Sequence, residues 1–106
     1  MKIALDYDKT YDQDPDFWED FIFLADTYGH DVRIVTARNV ELDNIDDKVP
    51  EDVVIMYCDG VAKKWWCQHR GDFWEPDVWI DDKPEGILQN GPLTEEQIAD
   101  WRKNRE

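Results

Sequence analysis

The sequence predicts an α/β domain built on a mainly parallel sheet of about four strands. Three observations carry this expectation. Short apolar runs alternate with segments of helical period along the chain. That alternation calls for right-handed crossovers between parallel strands. Two of the runs, Ile3-Ala4-Leu5 and Val78-Trp79-Ile80, stop at aspartates, Asp6 in one case and Asp81-Asp82 in the other. At 106 residues the chain fits a single domain, residues 1–106, with no repeat, linker or low-complexity tract.

The elements follow in order. Ile3 to Leu5 reads as a buried strand with polar groups at its carboxyl end. Tyr11 to Asp14 is a polar connector, with Asp14 as N-cap and Pro15 in the first turn of a helix. Phe17, Phe21, Leu24, Ala25 and Tyr28 recur at helical spacing, widened by Trp18 and Ile22, and mark the expected core face. Gly29 is the expected helix stop. Val32 to Thr36 is the second strand. Ala37 to Lys48 offers only Val40, Leu42 and Ile45 for burial and reads as a short helix or a loop. Val53 to Tyr57, rich in β-branched residues, is the third strand. Val61 to Arg70 reads as a helix stopped by Gly71, and Val78 to Ile80 as the fourth strand. Pro84 to Leu88 suits one helical turn, and Thr94-Glu95-Glu96-Gln97 has capping-box spacing before a last helix through Trp101. Six Trp, four Tyr and four Phe supply buried area that so short a chain otherwise lacks.

The formal net charge is -14. Such a surface repels phosphate backbones and anionic lipid, which weighs against long nucleic acid as a partner. A divalent cation is the natural counter-charge. The start Met1 to Leu5 lacks the apolar core of a signal peptide, and no run reaches transmembrane length. Cys58 and Cys67 match no usual metal spacing and read as reduced thiols, so a cytoplasmic location is expected.

In open parallel sheets, sites form beyond the carboxyl ends of the strands. That rule gathers Asp6, Asp8, Thr36, Lys63 and Asp82 along one edge. Two carboxylates one residue apart at a strand end can divide labour, one attacking phosphorus and the other handling the leaving group's proton. A hard cation lets phosphate approach them, and a hydroxyl and an ammonium can hold the remaining oxygens.

With those residues in place, the chain resembles the haloacid dehalogenase-like superfamily, and in particular its small capless phage and bacterial members. Leu5-Asp6-Tyr7-Asp8-Lys9-Thr10 is similar to the first motif of that family, Ile34-Val35-Thr36-Ala37-Arg38 to the second, and Trp79-Ile80-Asp81-Asp82-Lys83-Pro84 to the fourth. The third motif is a lone Lys, Lys63 or Lys64. The resemblance implies a Rossmann-like three-layer sandwich with strand order 4-1-2-3. It implies a phosphatase acting on phosphomonoesters through an aspartyl-phosphate on Asp6, with Asp8 as general acid and then base. Thr36 would bind the phosphoryl group and Lys63 would neutralise it. Mg2+ would be held by Asp6, the backbone carbonyl of Asp8, and Asp82 or Asp81.

Lys63 is preferred to Lys64 because Trp66 and Cys67 follow it by three and four residues, on a side able to pack on the sheet. Neighbouring strand residues face opposite ways, so only one of Asp81 and Asp82 is expected to face the metal directly, and the resemblance to related Asp-Asn and Asp-Asp endings favours Asp82. The stretches after Thr10 and Thr36 are too short for a cap domain, so an open site is expected. A competing expectation is a binding or inhibitory protein that keeps the scaffold and a metal site without turnover. A receiver domain fits less well, because its acidic pair comes early in the chain and here it comes last.

Overall fold

The structure is a computed structural model that describes residues 1–89; the helix expected from Thr94 to Trp101 lies outside them. The elements run β1 (Lys2–Leu5), α1 (Pro15–Thr27), β2 (Asp31–Thr36), β3 (Ile55–Tyr57), α2 (Lys63–His69), β4 (Val78–Ile80) and α3 (Glu85–Leu88). Short 3-10 turns lie at Tyr11–Gln13 and Asp46–Lys48.

All strand pairs are parallel, and β1 lies between β2 and β4. The order β3-β2-β1-β4 is 4-1-2-3 counted from the opposite edge. Leu5 registers with Ile34 on one side and Ile80 on the other. The residues just after β1 and β4 therefore emerge side by side, and the Asp6 N–H donates to the Ile80 carbonyl at 2.9 Å.

Strand residues alternate between the two faces of the sheet. Ala4, Val35 and Met56 join Cys58, Cys67 and Trp74 in one cluster, with Trp66 of α2 against it. Leu5 and Ile34 join Tyr7, Tyr11, Ile45 and Val49 in the other, with Trp18 and Ile22 of α1 against it. Each face thus carries a helix. Leu5 and Ile34 are fully buried, each worth roughly 1.5–3 kcal/mol in transfer from water.

Local signals settle where α1 begins and ends. Asp14 accepts the Phe17 N–H at 3.4 Å and Pro15 opens the helix. Gly29 follows with φ of 84°, a conformation that costs glycine nothing. The buried face of α1 is narrower than expected. Trp18, Ile22 and Ala25 turn to the sheet, while Phe17, Leu24 and Tyr28 are exposed. Both stripes have helical spacing and differ by about 100° of rotation. Periodicity could not choose between them; the position of Tyr11, Val32 and Ile34 did.

Between β2 and β3 the chain forms a loop. Asn39 Oδ1 accepts the N–H groups of Glu41 and Leu42, taking donors that a helix would need. Val40 and Leu42 stay exposed and only Ile45 is buried. Tyr57 pins the loop, donating to Asp46 at 2.6 Å and accepting from the Ile45 N–H at 3.0 Å. After α2, Gly71 meets Met56 so closely that a Cβ there would lie 2.3 Å from the Met56 methyl. No helix among the described residues is long and apolar enough to cross a membrane.

Candidate active site

Asp6 stands one residue past β1, at the centre of the sheet's carboxyl edge. The turn that follows is held by main-chain bonds. The Tyr11 N–H donates to the Asp6 carbonyl at 3.2 Å and the Asp12 N–H to the Tyr7 carbonyl at 3.1 Å. Tyr7 and Tyr11 stack beneath the turn with ring centroids 5.7 Å apart. Asp6 is therefore fixed from both sides, and only 6 % of it is exposed.

Lys63 is the first residue of α2 and is 5 % exposed. Its ammonium donates to Asp6 Oδ1 at 2.9 Å and to Asp81 Oδ2 at 2.5 Å. Cys67, four residues on, is fully buried and anchors that side of α2 on the sheet. Lys64 is exposed. The spacing argument for Lys63 thus agrees with its burial.

Strand alternation predicts that only one of Asp81 and Asp82 faces the site. Strand β4 ends at Ile80, so both aspartates lie past it and alternation does not apply. Both join the cluster: Asp6, Asp81 and Asp82 each offer a carboxylate oxygen within 4.8 Å of the others. They divide by partner. Asp81 is taken up by Lys63 and by the Lys83 N–H at 2.9 Å, whereas Asp82 is exposed and lies beside Asp6.

Burial pushes the Asp6 carboxyl up to about 7, helped by Asp82 and opposed by Lys63. Burial alone would lower Lys63, but Asp6 and Asp81 outweigh it and hold the ammonium above its usual range. Three carboxyl groups share one ammonium, so ionising all three would leave two unanswered negative charges in a partly dry site. An oxygen-rich site with that charge deficit fits a hard divalent cation.

Asp8 lines the same cleft but faces Arg38. The guanidinium clamps its carboxylate through Nε at 2.9 and 3.1 Å and Nη2 at 2.7 Å. Arg38 also lies over the Tyr7 ring, 5.2 Å from its centroid. Thr36 closes β2 and is fully buried; its hydroxyl accepts the Arg38 N–H at 3.2 Å. The cleft wall beside it is formed by Ala37. Thr10 reaches Asp6 Oδ2 at a long 3.5 Å.

The cleft encloses about 210 Å³ and gathers Asp6, Asp8, Lys9, Lys63, Asp82 and Lys83. The sequence argument assigned no role to Arg38, Lys9 or Lys83. Arg38 carried a usable signal: it follows the β2 strand end by two residues, on the edge where sites form. Cys58 and Cys67 are free, fully buried thiols, and burial pushes Cys67 up to about 11. No family model matches this chain, and no curated protein or solved structure matches it either.

Proposed function

We propose that this chain is a magnesium-dependent phosphomonoesterase of the haloacid dehalogenase-like type, a capless Rossmann-like three-layer sandwich that works through Asp6. The observation that carries the proposal is the Asp6, Lys63, Asp81 and Asp82 cluster at the carboxyl edge of the sheet, with Asp8 in the same cleft. Asp6 and Asp82, with the Asp8 carbonyl, would hold Mg2+. When bound, Mg2+ supplies positive charge that lets phosphate oxygens approach the carboxylates.

The remaining roles belong to the chain. An Asp6 oxygen attacks phosphorus, the bond to the ester oxygen breaks, and Asp8 gives that oxygen a proton. Water then attacks the aspartyl-phosphate, Asp8 takes its proton, and the bond between phosphorus and the Asp6 oxygen breaks. Lys63 keeps Asp6 oriented and balances charge on the phosphoryl oxygens. Thr36 holds the start of the Arg38 loop beside them. The two free buried thiols accord with a reducing compartment such as the cytoplasm.

Hydrolysis of p-nitrophenyl phosphate with Mg2+ tests this. Asp6→Asn should lower turnover roughly a thousandfold or more, the scale of nucleophile loss. Acetyl phosphate should label the wild-type Asp6. If neither turnover nor an Asp6 adduct is found, the assignment is wrong. The second reading, a binding protein on the same scaffold, is favoured by one feature, the exposed stripe of Phe17, Leu24 and Tyr28 on α1. A partner captured by an inactive wild type and lost on Leu24→Asp would support it.

A further inference from the structure

The Arg38 clamp conflicts with the work assigned to Asp8. Both Asp8 oxygens accept hydrogen bonds from the guanidinium. A carboxyl group held that way cannot also give a proton to a leaving oxygen, so the pair must open during turnover. Something must then receive the guanidinium, because an arginine released at a half-buried rim without a partner is costly. The scissile phosphoryl group, bound at Asp6, is already answered by Lys63 and so is not that partner. A second anion on the substrate is.

Resting on the hydrolase assignment above, we propose that the cleft takes a small phosphomonoester bearing a second phosphate, which draws Arg38 off Asp8 and is held by Arg38 together with Lys9 and Lys83. Arginine pairs with phosphate through the same fork that it offers a carboxylate. The stack over Tyr7 and the reach of Nη1 to the Asp43 carbonyl, 3.5 Å, keep the guanidinium at the rim when it lets go.

Two further features point the same way. Lys9 and Lys83 both line the cleft and are exposed, although the chain as a whole carries a formal charge of -14. A doubly phosphorylated molecule approaching so acidic a domain needs local cations. Lys9 also sits at φ of 59°, in the left-handed region that a side chain enters at a cost. A glycine would occupy that turn freely, and a lysine there sets an ammonium at the mouth of the site. At about 210 Å³ the cleft is below the usual range of ligand pockets, so only a small ligand fits, with its second phosphate at the exposed rim.

The test compares matched pairs: fructose 1,6-bisphosphate against fructose 6-phosphate, and adenosine 3′,5′-bisphosphate against adenosine 5′-monophosphate. In wild type with Mg2+, kcat/KM for at least one bisphosphate should exceed that of its monophosphate by about tenfold or more, the worth of one charge-assisted hydrogen bond. Arg38→Gln should bring the ratio down to about twofold or less, and Lys9→Ala and Lys83→Ala should each reduce it in part. Calorimetric binding of the same pairs to folded Asp6→Asn should show the same preference without turnover. A preference in binding with no turnover by wild type would defeat the hydrolase assignment and leave the two-phosphate site standing. Ratios near one for both pairs, in kinetics and in binding, would overturn the proposal. So would a preference that survives Arg38→Gln.

Discussion

Among the described residues, two acidic clefts lie at opposite ends of one parallel sheet, and they differ in burial. The first, at the carboxyl ends of β1, β2 and β4, holds Asp6, Asp81 and Asp82 around the buried Lys63. The second is larger, about 280 Å³, and lies at the amino ends of β2 and β3 between Glu19, Asp26, Asp31 and Asp52. Its acids are exposed or half-exposed, and no lysine or arginine among the described residues lines it. Exposed carboxylates keep their water and do little to each other. In the first cleft burial strips that water away, so each charge must be answered by another group. Acidity is shared by both clefts, and dehydration against a fixed ammonium sets the first apart.

Removing that ammonium should have the largest effect. Lys63→Met leaves Asp6 and Asp81 buried and unanswered, and should cost about 3–5 kcal/mol in urea unfolding. Asp52→Asn in the second cleft should stay within about 0.5 kcal/mol. Equal losses would erase the distinction between the clefts.

Cation affinity should separate them next. Asp82→Asn should weaken Mg2+ binding by at least about tenfold in calorimetry, the lower end of losses seen even for groups that do not touch the metal. Asp26→Asn and Asp52→Asn should leave it unchanged.

Tyr11 connects the two ends, stacking on Tyr7 below the first cleft and donating to Glu19 of the second at 3.3 Å. Burial, with Glu19 beside it, pushes the phenol from 10.0 up to about 12. Below pH 10 the folded and unfolded chains both keep this proton. Above it the unfolded chain ionises first, so stability falls as pH rises toward 12. Thermal melts across that window should show a slope that flattens in Tyr11→Phe.

The smallest effect belongs to Phe23, which lines the second cleft at 75 % exposure. Phe23→Ser should change stability by less than about 0.5 kcal/mol. A larger loss would mean that the second cleft is part of the core.

Much of the first cleft was legible because its residues mark strand ends. Asp6, Thr36 and Asp81-Asp82 each follow an apolar run, and Lys63 precedes an apolar helix side. The second cleft left no such trace, since its residues come from the middle of α1 and from two strand starts. The position of Arg38 just past β2 was legible, but its partner was not. Its clamp on Asp8 spans thirty residues of chain, and no local pattern reports a contact of that reach. The α1 face was expected too wide, because Phe17, Leu24 and Tyr28 are as periodic as Trp18, Ile22 and Ala25.

By itself the amino-acid order determined the alternation of strands and helices, the cap and stop of α1, and which carboxylates would meet at one edge. These follow from short-range rules: period, capping and the position of polar residues after apolar runs. The tertiary structure decided which stripe of α1 is buried, that Asp81 rather than Asp82 answers Lys63, and that Arg38 holds Asp8. Each of these depends on distances between segments far apart in the chain, which are set only when the sheet closes around its core.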